Sequence, residues 1–468
     1  MKPKNKTHEG RRNFLKTSLA GSAAAFMVPS IVPSTVFGKT APSNKINIGQ
    51  IGCGRIALSH DMPSTLKYDE ARMVAVCDVD RKRAAGGKAW TEKFYADNKK
   101  PGYVDVKVYE DYREMIADKD IDAVIISTPD HWHAQPAMEA ALAGKHIYLQ
   151  KPTSLTIEEG RIMSDIVHRT GVRFQLGSQQ RSLDPWPQFH KACELVRNGR
   201  IGKIHTVKVG LPGDPAGGNP EEMPIPEELN YDMWLGSTPW VYYTQDRVHS
   251  PTDVFSRPGW LRCEQFGAGM ITGWGVHHID IAHWGMGTEY SGPLEIEATA
   301  QFPDKGLWNV HGDFEVTAKY ANDITMHISG KYPNGIRFEG EDGWIFVTRG
   351  NASVTASDPG AGNQKTSPFM ASDPKILKSE IGENEIHLYK SPEQHKNWLD
   401  CIVSGQQTIS SEEIAHRSCS ACLVAHIAMK VPRKLYWDPV KERFKNDDEA
   451  NSMLSRPQRY PYGTNYVL

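Results

Sequence analysis

The sequence predicts an α/β protein: an amino-terminal doubly wound parallel sheet followed by a separate carboxy-terminal α/β half. Three observations predict it. A β-branched run, KINIG, leads into a glycine turn, Gly52-x-Gly54-x-x-Ala57, which is how a strand hands over to a helix. Strand and helix patterns then alternate as far as Pro152, the sequence form of a parallel sheet. Finally, 468 residues exceed one ordinary core, so two domains and a tail are expected.

Composition sets the outer limits. Hydrophobic residues make up 39% and charged residues 24% of the chain, and the formal net charge is −2. No global field draws such a chain onto nucleic acid or an anionic membrane, so specificity must come from local sites. The seven cysteines are scattered and odd in number, which argues against a disulfide framework. Cys419 and Cys422 form C-x-x-C, but within SCSACLVAHIAMK, a helical pattern that reads as packing.

The first element, residues 1–38, is read as a segment to be removed. Arg11 and Arg12 open RRNFLK, and a short apolar stretch, Thr17 to Val28, follows. About a dozen apolar residues cannot span a bilayer, which takes ~20, but they suit the h-region of a signal peptide. The paired arginines resemble a twin-arginine export signal, which implies the Tat translocase as a partner, a periplasmic destination and no membrane span in the mature chain. Cleavage is expected between Pro33 and Lys39; the alternative is a disordered basic end.

The second element, residues 45–180, reads as a dinucleotide-binding domain. Gly52 permits the tight turn, Gly54 lets backbone approach a pyrophosphate, and Ala57 lets the next helix lie close. Arg55 and Ile56, between them, join the candidate cofactor contacts, with the anion at a helix amino terminus. A second strand, MVAVCDVD (Met73 to Asp80), carries Asp78, twenty-four residues beyond Gly54, where a carboxylate meets the adenosine ribose. That favours NAD, while Arg81, Lys82 and Arg83 leave NADP open. A third unit runs from strand Asp122–Ser127 through helix Ala134–Ala143 to strand His146–Gln150 and Lys151-Pro152. Ligands gather at the carboxyl ends of such strands, so Thr128, Pro129, His131 and Lys151 are expected around the nicotinamide, with His133 shaping that pocket. After a helix, Ile157 to Arg169, the strand end VRFQLGSQQRS presents Gln179, Gln180 and Arg181 to the cleft or to solvent.

The third element, residues 181–392, is expected to hold a substrate and to mediate homo-oligomers. Residues 210–260 read as a long excursion without regular structure, of the kind that is functional or disordered. Seven of the twelve tryptophans lie between Trp132 and Trp284, and flat aromatic faces suit the C–H faces of sugar rings. From Leu294 to Val347, stretches such as DFEVTAKY alternate with strand period. The tail, 393–468, supplies two helices and an extended segment, RPQRYPYG.

Taken in order, IGQIGCGRIA, AVCDVD, TPDHWHA, the Lys151-Pro152 pair and GWGVHHIDIAHWG resemble the Gfo/Idh/MocA family, named for glucose–fructose oxidoreductase and inositol dehydrogenase. The resemblance covers essentially everything after Lys45. It implies a Rossmann domain, a second domain built on a large, mostly antiparallel open sheet, and hydride transfer between a sugar or polyol and a nicotinamide. It also implies that Lys151 contacts both substrate hydroxyl and cofactor, and that His277 serves as acid or base. Two positions depart from the family pattern: Gln150 stands where a glutamate is usual, and Gly273 where an aspartate is usual.

The chemistry follows from the residue types. Oxidising a secondary alcohol needs a proton acceptor beside the oxygen and a cation to stabilise the developing alkoxide. Lys151, charged by default, suits the stabiliser and becomes a base only if desolvated. On a helix, His277 and Asp280 lie three apart, so Asp280 is expected to orient the imidazole in place of the missing aspartate. Trp274, Arg181 and His278 complete a candidate substrate set. No histidine or cysteine spacing makes a strong ligand motif, so no metal is expected. Outside the cytoplasm nicotinamide is scarce, so the cofactor should travel tightly bound. The rival readings are an NAD-dependent glycosidase acting by oxidation and elimination, and a non-catalytic sugar-binding Rossmann protein.

Overall fold

The structure is a computed structural model, and it describes residues 45–100, 105–350 and 367–467. The proposed export signal lies outside them. From Ile46 to the carboxyl end the chain is organised by two sheets.

The first has six strands: β1 (Ile46–Ile51), β2 (Ala71–Cys77), β3 (Lys107–Tyr109), β4 (Ala123–Ile126), β5 (His146–Leu149) and β6 (Phe174–Leu176). Their spatial order is β3-β2-β1-β4-β5-β6 and every pairing is parallel. All four residues of β4 are buried, as a strand covered on both faces demands. The crossover helices start where the sequence offers a cap. Asp80 accepts from the N–H groups of Lys82 and Arg83 to open Arg81–Asp97, and Thr156 caps Ile157–Thr170, which stops at the left-handed Gly171. The strand order reverses between β1 and β4, which puts the crevice at the ends of those two strands.

β7 (Ser182–Asp184) leaves this sheet and pairs with β15 (Ser391–Glu393). The second sheet contains β8 (Ile204–Gly210), β9 (Glu295–Ala300), β10 (Phe314–Lys319), β11 (Thr325–Ser329), β12 (Gly335–Gly340), β13 (Gly343–Val347), β14 (Phe369–Ala371), β16 (Leu435–Asp438) and β17 (Arg443–Phe444). Its order is β14-β13-β12-β8-β11-β10-β9-β16-β17, and β8–β11 is its parallel pair. In β10 the buried residues Phe314, Val316 and Ala318 alternate with exposed ones, so one face packs and the other is open. The packed face meets three helices, Pro187–Arg197, Gly275–Met286 and Glu412–Lys430. Cys419 and Cys422 lie buried in the last of these as free thiols.

The parallel β8–β11 pair requires a long crossover, and it is this connection that holds the proline- and tryptophan-rich excursion. Little of residues 211–268 is helix or strand, yet it is not loose. Leu229, Tyr231, Trp234, Leu235, Tyr243, Val248, Cys263 and Phe266 form a core of their own. That core is fastened to segments just past the carboxyl ends of β2 and β4: Asn230 N donates to Val79 O at 2.9 Å, and Trp132 Nε1 donates to Met233 O at 2.9 Å. Gly236 lies directly against that indole, where a Cβ would approach within 2.5 Å of Trp132. Buried aromatic area thus replaces regular hydrogen bonding as what orders the segment.

Candidate active site

A cavity of about 730 Å³ opens at the carboxyl ends of β1 and β4. Its nucleotide side begins with Gly52, whose φ of +83° and close approach to Ser127 O, 2.7 Å from a built Cβ, exclude other residues. Gly54, Arg55 and Ile56 line the same wall. Among the described residues, the Nη1 of Arg55 is buried without a hydrogen-bond partner, and burial followed by Arg257 lowers this guanidinium to about 10. A buried, unsatisfied cation at a glycine turn fits an incoming phosphate. Asp78 lines the wall beyond, its carboxylate accepting from Cys53 N at 2.7 Å and Asp80 N at 2.9 Å. These residues fit a dinucleotide.

Thr128, Pro129, His133, Lys151 and Gln179 also line the cavity. Lys151 donates from Nζ to Gly273 O at 2.8 Å. Burial lowers this ammonium, Asp130 opposes the shift, and Arg349, Arg257 and Arg55 add to it. Asp130 in turn is raised by burial and held down by Lys151. His133 bridges Thr128 O at 2.9 Å and Pro152 O at 2.5 Å, so it fixes the segment that carries Lys151.

His277 and Trp274 reach the cavity from the Gly275–Met286 helix and the residue before it. Among the described residues, Nδ1 of His277 is buried with no hydrogen-bond partner. Burial, then Arg349, Lys151, His278 and His60, push the imidazole well below its ordinary range, so it is neutral at pH 7.

The expected His277–Asp280 pairing is absent. Asp280 accepts instead from Arg181 Nε at 2.6 Å, Arg181 Nη2 at 2.8 Å, Ser178 Oγ at 2.5 Å and Ser418 Oγ at 2.8 Å. Helical spacing puts His277 and Asp280 near one another, but a fully buried guanidinium outcompetes an imidazole for the carboxylate. Arg181 is consequently 1% exposed, with its other arm on Glu289 at 2.6 Å, and cannot contact substrate. His278 is also withdrawn, its Nε2 at 2.5 Å from Asn334 Oδ1. Nor does His131 line the pocket: its Nε2 donates to Trp234 O at 2.9 Å and its ring packs on Trp234 and Phe266, as the excursion claims it.

On the opposite wall Trp274 stands where a substrate contact was expected, but Arg349 was not foreseen. Arg349, at the end of β13, lies between Trp186 and Trp274, 4.2 and 4.6 Å from the two ring centroids. With its amide oxygen toward Arg349, Gln180 accepts from Nε at 2.9 Å and donates to His277 O at 2.8 Å. Trp186, Trp260, Trp274 and Arg349 line the cavity, whereas Trp284 is core and stacks on Arg181. A strand-terminal arginine after GWIFVT was the available signal, but nothing local says which tryptophans it meets.

The chain matches the family described as "Oxidoreductase family, NAD-binding Rossmann fold" over residues 46–178, and its companion "C-terminal alpha/beta domain" over 216–354 and 360–464. It is 26% identical over 261 residues to inositol 2-dehydrogenase 2 of Saccharopolyspora erythraea, covering 55% of this chain and 57% of that one. It is 33% identical over 214 residues to a glycosyl hydrolase family 109 protein of Shewanella baltica, covering 42% and 44%. The chain therefore spans about half the length of these curated relatives. Among solved structures it resembles the WlbA dehydrogenase from Bordetella pertussis in complex with NADH and UDP-GlcNAcA, with a TM-score of 0.57, 17% identity and coverage of 84% and 99%.

Proposed function

The chain belongs to the Gfo/Idh/MocA oxidoreductase family and carries its NAD-binding Rossmann domain, and from that premise we propose that it oxidises a secondary alcohol of a sugar or polyol. The observation that carries this reading is a single cavity lined by the glycine turn and by Lys151. NAD, held by Gly52, Gly54, Arg55, Ile56 and Asp78, supplies the hydride acceptor.

The chain's own residues handle the proton. Two groups face the alcohol, and electrostatics distinguishes them. His277 sits among Arg349 and Lys151 without a carboxylate, so the imidazolium is disfavoured and the ring serves as a neutral hydrogen-bond partner. Lys151 is buried with a lowered ammonium, the condition under which an amine takes a proton. The hydroxyl proton passes to Lys151 Nζ as the carbon loses its hydride, which leaves a ketone and an ammonium. Arg349 and Trp274 hold the substrate face. Export by the twin-arginine route, already loaded with cofactor, accords with this use of a retained nicotinamide.

Protein purified without added nucleotide should change absorbance in the reduced-nicotinamide band when given its sugar from a polyol and glycoside panel. An inert preparation across that panel overturns the reading. The match to family 109 proteins supports a second reading, net glycoside cleavage with no accumulated reduced cofactor. A chromogenic glycoside released without that absorbance change would establish it.

A further inference from the structure

Beside the catalytic set lies a second group of chemistry-bearing side chains. The helix that follows the glycine turn is wound as a π-helix over Ala57–Asp61, a rare geometry that clusters at functional sites. His60 lines the cavity, and Asp61 is fully buried. His395, from the helix Gln394–Ser404, closes on them from the far end of the sequence. One ligand atom from each of the three residues lies within 4.8 Å of the others.

The polar atoms of this group are not all satisfied by protein. Asp61 accepts from Ser127 Oγ at 2.6 Å and from Gln150 Nε2 at 2.7 Å. The Nδ1 of His395 stands 3.0 Å from Glu393 Oε1, which orients the ring and leaves Nε2 for another partner. That Nε2 faces Asp61 Oδ1 at 3.6 Å, an ion-pair distance beyond hydrogen-bond length, and makes no hydrogen bond among the described residues. The Nε2 of His60 is likewise buried and unpartnered. Two buried imidazole nitrogens without a hydrogen bond beside one carboxylate call for an explanation.

The structure assigns an occupant: we propose that His60, Asp61 and His395 bind a divalent transition metal such as Zn²⁺. Two imidazoles and a carboxylate are an established Zn²⁺ donor set, with a fourth tetrahedral position left over. Glu393 on the distal nitrogen of His395 is the supporting carboxylate that metal-bound histidines need. On binding, any proton on His395 Nε2, the nitrogen facing Asp61, leaves to solvent and the metal–nitrogen bond replaces it, while Nδ1 keeps its proton toward Glu393. Through Asp61 the ion would brace Ser127 and Gln150, the residues that end β4 and precede Lys151, and so position the lysine. The competing occupant is that same proton, with His395 as an imidazolium between two carboxylates.

The test uses the tag-free full-length chain, stripped with a chelator, equilibrated with Zn²⁺, desalted and assayed for metal by mass spectrometry. A single ion per chain is expected, and Co²⁺ in its place should give tetrahedral visible bands. His60→Gln and Asp61→Asn should lose the ion while keeping wild-type circular dichroism, and Glu393→Gln should weaken binding roughly 10–100-fold. Should Asp61→Asn misfold, His60→Gln decides alone. A wild-type chain that retains no ion, or a stoichiometry that His60→Gln leaves unchanged, overturns the proposal and leaves the proton as occupant.

Discussion

The ammonium of Lys151 donates to the backbone carbonyl of Gly273 at 2.8 Å, at the position where the family resemblance leads one to expect an aspartate. The lysine keeps a hydrogen-bond acceptor there but has no counter-charge at that residue. A Cβ built on Gly273 meets nothing within 4 Å, so a side chain fits. Gly273→Asp should therefore fold normally and raise the lysine's pKa, since an adjacent carboxylate favours the charged form by ~1–3 units. If neutral Lys151 is the base, the rising limb of the kcat–pH profile moves to higher pH by a similar amount. An unmoved limb would remove Lys151 from that role.

Lys151→Met deletes the proton acceptor without touching the glycine turn. Turnover should fall ~10²–10⁴-fold, while the nicotinamide that co-purifies, measured in the denatured supernatant, stays at the wild-type level. Equal loss of both would mean that the lysine chiefly binds cofactor.

Arg181, expected at the substrate, and Asp280, expected to orient His277, make a stability prediction instead. Both are buried, so removing one partner strands a charge. Arg181→Met should cost on the order of 3–5 kcal/mol in urea unfolding. A paired change, Arg181→Met with Asp280→Leu, should recover part of that loss; additive losses would contradict the pairing.

An acid-sensitive clasp joins the Rossmann half to the carboxy-terminal helix. Arg161 donates to Glu413 Oε2 at 2.7 Å and Oε1 at 3.0 Å. Burial raises the Glu413 carboxyl, but Arg161 and Arg417 override it and bring it to about 2. The folded value is below the unfolded one, ~4.3, so this stability is present above pH ~4.3 and vanishes as pH falls toward 2. Glu413→Gln should flatten that part of the unfolding curve, by ~1–2 kcal/mol after discounting for solvent screening.

What could be read in advance divides along a physical line. Gly52, Asp78 and Lys151 occupy strand ends, where local turn chemistry and sheet topology dictate position, and all three reach the cavity. Arg349 and His395 depend on contacts with distant segments, Trp186 and Trp274 for the one and Asp61 for the other, which no periodicity encodes. His277 and Asp280 failed as a pair for a related reason. The i,i+3 rule describes one helix in isolation, and the decisive neighbour, Arg181, comes from another element. The excursion was correctly read as irregular, but its order comes from an aromatic core that composition hinted at and could not assemble.

The buried Arg181–Asp280 bond also bears on how the cleft can move. It joins the turn after β6 to the helix that presents His277, and Ser178 and Ser418 tie the same carboxylate from two further directions. A hinge that swung the two halves apart would have to expose several tethered charges at once. The groups on either side of that bond are therefore held in fixed mutual alignment, with Ser256 and Trp260 of the crossover lining the mouth beside them.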